Sequence, residues 1–292
     1  MTVCIASTNI KHNVLVFATD RMVTTAPLPI EFEHKIPKIA EITKYCVGLV
    51  AGSALRGKGI FEAVQDQTGG KSLSIHKIAQ TAKIVYQNQR LQIIEDIFLK
   101  SKGLSLQLYT EKGKDILPLS LHQQLDRQIS TFNFQLEVII AGVDEHGPHI
   151  YSIYNPGFIE CYDSIGFHAV GTGALHILAS LYNVYDPECI PAESIYCVLR
   201  AKRDAEIAPG VGQRTDLGII DNTKKLKYFA ENADLFKKFD ELYRVEKEGR
   251  KTLTKASEFA KIAITDNSQQ EKEAGCKEVA NAEKTPEKGK PR

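Results

Sequence analysis

Short apolar runs open the chain and return in its middle, with longer stretches of helical spacing between them. VCIAS and VLVFAT, within residues 2–8 and 13–19, predict two strands joined by the polar turn NIKHN. Two more strands are predicted at 35–42 and 45–50. The small-residue stretch AGSALRGKG then leads into a helix predicted from about Leu55 to Gln67, which TGG ends.

The longest helical pattern covers residues 72–101, where apolar residues recur on one broad face until Gly103 stops the helix. Residues 104–117 have a mixed pattern, which we interpret as a hairpin around Lys112–Gly113. A second, shorter helix is predicted at about 119–131.

Strands return as LEVIIAGVD, PHIYSIY, FIECYD and FHAVG, separated by the turns DEHG, NPG and DSIG. This regular spacing is typical of an antiparallel meander. Helices are predicted at about 173–184 and 191–206, and TDLGIID, at 215–221, is predicted to be the last strand. Residues 228–261 are charged and amphipathic with helical spacing, whereas apolar residues nearly vanish from Asp266 onward, which predicts a disordered tail.

The order of strands, helices, strands, helices and strand predicts an α+β fold. Two antiparallel sheets packed face to face, with helices outside each, would bury this pattern in one domain. We therefore expect a main domain over 1–225, a C-terminal helical extension over 226–262 and a disordered tail over 263–292.

Charge, apolar runs and cysteine spacing limit the classes of function that the sequence allows. The 292 residues carry a net charge of +1, which excludes the strong global field of many nucleic-acid or membrane-surface binders. No run approaches the roughly 18 apolar residues of a membrane span, and no secretory signal is visible. Six cysteines without a CxxC pair argue against structural zinc and for a reducing, cytoplasmic setting. The histidines do not show a metal-binding spacing, and we expect no cofactor and no metal.

Thr2 is the first candidate for chemistry. An initiator Met1 before a small residue is normally removed, which leaves a threonine with a free α-amine. A hydroxyl is a weak nucleophile unless a base lies beside it, and an α-amine, with an ordinary pKa of about 7.7–8.0, is such a base. Many chains begin Met-Thr, however, so on this basis alone Thr2 is more simply a strand residue.

The motifs around Thr2 favour the catalytic interpretation over the plain strand residue. The segments MTVCIAS, VLVFATDRMVTT, KIPKIAEI and CVGLVAGSA, followed by VIIAGVDEHGPHIYSIYNPG, GFHAVGTGALH and RDAEIAPGVGQRTDLGII, occur in order over residues 2–221. This part of the chain resembles proteasome β-type subunits, and more closely the bacterial proteasome-related peptidases that open with Met-Thr-x-Cys. These are N-terminal-nucleophile hydrolases. The resemblance implies a four-layer αββα sandwich, with an extra helical insertion at about 90–135 and an extra C-terminal helix.

The resemblance also implies roles for particular residues. Thr2 matches the nucleophile and its own general base, Asp20 matches the acid at the end of the second strand, and Lys38 matches the lysine beside the nucleophile. The charge of Lys38 would lower the pKa of the amine, and Asp20 would orient Lys38. Lys35 competes with Lys38, because an odd offset puts the two on opposite faces of a strand. We prefer Lys38, whose spacing to Gly52 fits the family pattern without a gap.

Three further residues complete the implied site. Gly52 matches the residue whose backbone N–H forms the oxyanion hole, and Thr172 and Asp204 match the hydroxyl and the carboxylate that position the amine. Two of them also have a simpler interpretation: Gly52 as a turn glycine, and Asp204 as an exposed helix residue.

The sequence departs from the family at two places. Met22 stands where many active members have an arginine, and no serine follows Asp204 within three residues. These departures favour an inactive subunit, whereas the presence of Thr2, Asp20, Lys38 and Gly52 together favours catalysis. The expected function is a threonine hydrolase that cleaves peptide or amide bonds. The alternative is a catalytically inactive proteasome-type subunit that serves ring or shell assembly. Both predict self-association into a ring or open ring, and neither predicts a nucleic-acid or membrane partner.

Overall fold

A computed structural model describes residues 2–24, 31–33, 38–69, 71–230 and 234–250. Within these ranges the chain is a mixed α/β protein whose strands pair in antiparallel fashion. None of the helices in these ranges combines the length and the apolarity that a membrane crossing would need.

One five-stranded sheet contains the first hairpin of the chain. Its strands are β1 (Val3–Asn9), β2 (Val14–Asp20), β10 (Phe167–Gly171), β11 (Thr215–Ile220) and β12 (Leu226–Phe229). They are ordered β10-β1-β2-β11-β12, and every residue of β1 and β2 is buried. The predicted hairpin is thus confirmed, and Asp20 is the last residue of its second strand.

A second five-stranded sheet is a meander in chain order. Its strands are β5 (Ile39–Thr43), β6 (Cys46–Gly52), β7 (Leu136–Asp144), β8 (Gly147–Tyr154) and β9 (Phe158–Cys161). Three of the four strands predicted as one meander lie in this sheet, as β7, β8 and β9. The fourth, FHAVG, is the strand β10, but it pairs with β1 in the first sheet, so its predicted place in the meander is wrong. A separate two-stranded ribbon joins β3 (Met22–Thr24) to β4 (Glu31–Glu33), and the sequence analysis missed it.

Seven α-helices fall within the described residues. They are α1 (Ala54–Thr68), α2 (Ile75–Ile94), α3 (Leu106–Ile116), α4 (Leu119–Ser130), α5 (Ala174–Tyr182), α6 (Pro191–Ala205) and α7 (Asp234–Arg250). The first three begin in the same way: the hydroxyl of Ser53, Ser74 or Ser105 accepts the N–H of the residue three positions later. Such caps satisfy a donor that the helix itself leaves unpaired.

Two apolar clusters account for most of the packing. One draws on both five-stranded sheets, with Cys4, Ala6, Leu15 and Phe17 from the first and Val47, Leu49, Ile139 and Ala141 from the second. The other joins α1 and α2 to the second sheet, through residues such as Ile60, Phe61, Ile78, Val138 and Ile140. Helix α6 packs on β1 and β2. The ends of the strands that carry Asp20 and Gly52 are held by this packing.

The hairpin predicted around Lys112–Gly113 is wrong, because this segment is the helix α3. Ser105 Oγ accepts the N–H of Leu108 at 3.1 Å and so starts the helix. Tyr109 of α3 is buried in a small cluster with Leu99, Leu104 and Leu125. Packing against α4 and the end of the preceding helical segment therefore outweighs the mixed local pattern.

The single helix predicted over 72–101 is wrong in its last part. Helix α2 ends at Ile94, a π-helical turn covers Glu95–Leu99, and a 3₁₀ turn covers Lys100–Lys102. The predicted stop at Gly103 is confirmed, because Gly103 has φ +71° and donates its N–H to the Lys100 carbonyl at 3.0 Å. A residue without Cβ adopts this left-handed conformation most readily.

Two predictions near the C-terminus need correction. The strand at 215–221 is not the last one described, because β12 follows it and pairs Leu217 with Phe229. The helical pattern predicted from residue 228 begins at Asp234. The chain divides into two compact units, of which the first ends at Phe236 and the second begins at Lys237. The predicted tail at 263–292, and Lys35 in the predicted strand 35–42, lie outside the described residues.

His149 lies between two carboxylates, that of Asp144 at the end of β7 and that of Asp163, which follows β9. His149 Nδ1 lies 2.6 Å from Asp163 Oδ2, and His149 Nε2 lies 3.1 Å from Asp144 Oδ1. Asp144 also accepts the N–H of Ile75, the first residue of α2, at 2.9 Å. The hydrogen bond to Asp163, together with the charges of both carboxylates, raises the pKa of His149 despite its partial burial.

Protonated His149 should therefore stabilise the folded protein. Because its folded-state pKa is raised above the unfolded value of about 6.5, this stabilisation is complete below that value and is lost as the pH rises through the folded-state pKa. We expect the free energy of unfolding in urea to fall by on the order of 1 kcal/mol between about pH 6 and pH 9. The pKa values of Asp144 and Asp163 are lowered, so both carboxylates stay ionised in this window.

The matched variants are His149→Asn and His146→Asn, the second at a position whose side chain is 73 % exposed. The first should flatten the pH dependence of the unfolding free energy, and the second should leave it as in the wild type. An unchanged pH slope in His149→Asn would contradict the assignment.

Candidate active site

Thr2 lies just before β1, buried at one end of the first sheet, with 2 % of its surface exposed. Its hydroxyl Oγ1 donates to Asp20 Oδ1 at 2.7 Å. The same oxygen accepts a very short hydrogen bond from Lys38 Nζ. The Thr2 hydroxyl is thus held between a buried cation and a buried anion.

The carboxylate of Asp20 organises this end of the sheet. Asp20 is fully buried at the end of β2, and Lys38 Nζ lies 2.7 Å from its Oδ1. Its other donors are the Thr2 hydroxyl and three backbone N–H groups, those of Val3 (2.8 Å), Met22 (3.0 Å) and Gly212 (2.9 Å). A buried carboxylate needs such compensation for its lost hydration. Asp20 therefore fixes both the hydroxyl of Thr2 and the ammonium of Lys38.

The contact from Met22 bears on the departure noted in the sequence. Met22 stands where many members of the resembled family carry arginine, yet it serves Asp20 through its backbone N–H. That hydrogen bond does not depend on the side chain at position 22.

Thr172 meets the backbone of Thr2 at the end of β10. The nitrogen of Thr2 donates to Thr172 Oγ1 at 3.1 Å, and the Thr172 hydroxyl is 3.3 Å from the carbonyl oxygen of Thr2. The preceding Gly171 has φ +97°, and a Cβ atom there would lie 2.3 Å from the same carbonyl oxygen. Glycine at position 171 therefore lets the chain bring Thr172 against Thr2.

Gly52 is the last residue of β6. It has φ +106°, and a Cβ atom there would lie 2.3 Å from the carbonyl oxygen of Gln135. Only a residue without a side chain fits this position unstrained.

Thr2 and Gly52 face a common cleft of about 550 Å³. Its described lining is Thr2, Ala51, Gly52, Asn133, Gln135, Leu136, Glu137, Tyr154, Asn155, Gly171 and Thr172. Most of these residues offer polar side chains or accessible backbone, and the cleft has the size of a small-molecule or peptide subsite.

Asp204 contacts helix α5. It lies on α6, and its Oδ2 accepts a 2.7 Å hydrogen bond from Ser180 Oγ of α5. The structure thus brings Thr2, Asp20, Lys38 and Thr172 into direct contact, places Gly52 in the same cleft and engages Asp204 with α5. The hydroxyl partner of Asp204 comes from the preceding helix, and no local sequence pattern points to it.

Two residues beside Asp20 were missed from the sequence. Gly212 was given no role from the sequence, yet its N–H donates to Asp20 Oδ2. Lys202 is 1 % exposed, and its Nζ donates to the carbonyls of Gly212 (2.7 Å) and Gln213 (2.6 Å) and to Glu206 Oε1 (2.5 Å). Burial lowers the pKa of Lys202, which the charge of Glu206 partly opposes.

A sequence signal for Lys202 existed. Ile195, Val198 and Leu199 form the apolar face of α6, and Lys202 falls on that face at helical spacing. A lysine in such a position predicts a buried ammonium with internal partners.

Among the described residues, no group of three or more His, Cys, Asp and Glu side chains is arranged to hold a metal ion. No protein-family model matches the sequence, and comparison with curated proteins gives no significant match.

Proposed function

We propose that the protein is a threonine hydrolase of the proteasome-like, N-terminal-nucleophile type, acting on peptide or amide bonds. The observation that carries the proposal is the hydroxyl of Thr2, which contacts both Lys38 Nζ and Asp20 Oδ1 at the floor of a cleft. A purely structural strand residue has no need of a buried ion pair around its hydroxyl, since burying two charges costs free energy.

The proposed reaction uses the chain's own groups. Once Met1 is removed, the α-amine of Thr2 takes the proton of Oγ1, and Oγ1 attacks the carbonyl carbon of the scissile bond. The carbonyl electron pair moves onto oxygen, where the N–H of Gly52 donates to the oxyanion. The C–N bond then breaks as the leaving amine takes the proton from the α-ammonium. Water, deprotonated by the α-amine, finally hydrolyses the ester and frees Thr2.

Lys38 and Thr172 have supporting parts in this scheme. The ammonium of Lys38 stabilises negative charge that develops on Oγ1, because the two groups are in contact and both side chains are buried. The nitrogen of Thr2 lies 3.1 Å from Thr172 Oγ1, which would orient the freed amine. Asp204 would act on this region through the helix pair α5 and α6.

The proposal extends to the architecture and the setting. A four-layer αββα sandwich is supported by the apolar cluster that draws on both sheets, by α1 and α2 on the second sheet, and by α6 on the first. A reducing cytoplasmic compartment would keep the five described cysteines as the free thiols that the structure contains. The proposed partners are a peptide or protein substrate and further copies of the chain, in a ring or open ring.

A peptide epoxyketone tests the chemistry, because its two electrophilic carbons can bond to the hydroxyl and to the amine of one N-terminal threonine. We expect mass spectrometry of the native protein to show a chain that starts at Thr2, and labelling to place the adduct there. Thr2→Ala should abolish labelling, whereas the matched control Thr110→Ala, on the exposed surface of α3, should label as the wild type does. Retention of Met1, or labelling that persists in Thr2→Ala, would refute the proposal.

A second candidate is an inactive subunit that serves ring or shell assembly. Exposed apolar residues on α5 favour it: Leu175 and Tyr182 are 80 % and 82 % exposed and share one face of the helix. An oligomer in analytical ultracentrifugation, together with an unreactive Thr2, would favour this candidate over the hydrolase.

A further inference from the structure

Charge in the cleft is concentrated on one side chain. Of the eleven described residues that line it, Glu137 is the only one with an ionisable carboxylate, and none is a lysine, arginine or histidine. Glu137 is exposed although its neighbours Leu136 and Val138 are fully buried, since alternate residues of β7 face opposite sides. Its carboxylate therefore faces the solvent of the cleft.

A hydrogen bond holds this carboxylate next to Thr2. Glu137 Oε2 accepts the N–H of Gly171 at 3.0 Å. Gly171 pairs with Val3 across β1 and β10, and it directly precedes Thr172, which contacts the backbone of Thr2. The carboxylate of Glu137 is therefore held by the residue that directly precedes Thr172, and Thr172 contacts the backbone of the proposed nucleophile, Thr2.

Two of the three carboxamides that line the cleft, Asn133 and Asn155, are weaker acceptors, because their oxygens are already engaged. Asn133 Oδ1 accepts the N–H of Gln135 at 2.8 Å. Asn155 Oδ1 accepts both the N–H of Phe134 and the guanidinium of Arg90, at 3.0 Å and 3.1 Å. A carboxylate with only one such bond keeps several lone pairs for a ligand and forms the stronger, charge-assisted hydrogen bonds.

We infer that Glu137 selects substrates with a cationic side chain, lysine or arginine, close to the scissile bond. The inference rests on the proposed function and names the substrate class of that same site. An ammonium or guanidinium in the cleft would bond to the carboxylate, whereas an acidic side chain there would be repelled. A hydrogen bond to a charged group supports a preference of about 10- to 100-fold in kcat/KM.

Three fluorogenic peptides that differ at one residue beside the scissile bond provide the test. That residue is arginine, citrulline, which has nearly the same shape without the charge, or glutamate. We expect the wild type to prefer arginine to citrulline by about 10-fold or more, and to cleave the glutamate peptide most slowly. The preference should shrink as salt is added, since the cleft is open to solvent.

Two substitutions of Glu137 test whether its charge determines the preference for arginine. Glu137→Gln keeps an oxygen that can accept the N–H of Gly171 and should remove the difference between arginine and citrulline. Glu137→Lys should reverse the order, so that the glutamate peptide is cleaved faster than the arginine peptide. Glu145→Gln is the matched control: Glu145 follows the other end of β7, its side chain is 78 % exposed, and the variant should keep the wild-type preference.

The two proposals fail in different ways. If the wild type cleaves none of the peptides and Thr2 is not labelled, the proposed function is wrong and the inference fails with it. If the peptides are cleaved without a preference for arginine, or Glu137→Gln keeps that preference, only the assignment of Glu137 is overturned.

Discussion

Replacing Lys38 by methionine is expected to reduce hydrolysis at least about 10³-fold and to destabilise the fold by about 3–5 kcal/mol. The side chain keeps its length but loses the ammonium that contacts both Thr2 Oγ1 and Asp20 Oδ1. Asp20 would then be a fully buried carboxylate without its counter-ion, which accounts for the loss of stability. The rate falls because the reacting hydroxyl loses its only cationic neighbour among the described contacts. Peptide turnover and urea denaturation measure the two effects.

Lys58→Met is the matched control for the Lys38 substitution. Lys58 pairs with Glu62 along α1 at 3.5 Å, and both side chains are more than half exposed. Exposed pairs of this kind contribute at most about 1 kcal/mol, so this variant should behave as the wild type. If Lys38→Met folds and still turns substrate over at the wild-type rate, the site described here is not catalytic.

The second large effect is expected from Lys202→Met, with a loss of about 2–4 kcal/mol in the free energy of unfolding. The ammonium of Lys202 closes the loop after α6 by donating to the carbonyls of Gly212 and Gln213 and to Glu206. Methionine would remove this donor from the carbonyls of Gly212 and Gln213, whereas Glu206 keeps its hydrogen bonds from Arg203. The effect is smaller than that at Lys38 because two of the three acceptors are neutral carbonyls and Glu206 keeps Arg203, whereas the fully buried carboxylate of Asp20 would lose its counter-ion.

We expect Lys202→Met to affect the candidate site as well. The loop that Lys202 closes also supplies the N–H of Gly212 to Asp20, so a loosened loop weakens the support of that carboxylate. We expect labelling of Thr2 to slow in Lys202→Met, while Lys77→Met, on the exposed surface of α2, changes neither stability nor labelling. Wild-type stability in Lys202→Met would show that the three hydrogen bonds do not hold the loop.

Local patterns predicted the regular elements where their own residues determine the outcome. The β1–β2 hairpin follows from two apolar runs around a polar turn, and the end of the helical segment at Gly103 follows from a residue that tolerates positive φ. The pattern failed at α3, where Tyr109 is buried by residues from α4 and from the end of the preceding helical segment. It also missed β12, whose pairing with β11 depends on a partner and not on its own four residues.

The amino-acid sequence by itself pointed to Thr2, Asp20, Lys38, Gly52 and Thr172, because the segments that contain them resemble those of N-terminal-nucleophile hydrolases. Tertiary structure alone decided the contacts among them, since each comes from a different strand end or turn. It also decided that Gly212 and Lys202 support Asp20, that Ser180 contacts Asp204, and that Glu137 is the one charged side chain among the described residues that line the cleft. Those relations depend on how separate elements pack, and packing brings the N–H of Gly212 to Asp20 across 192 positions of the chain.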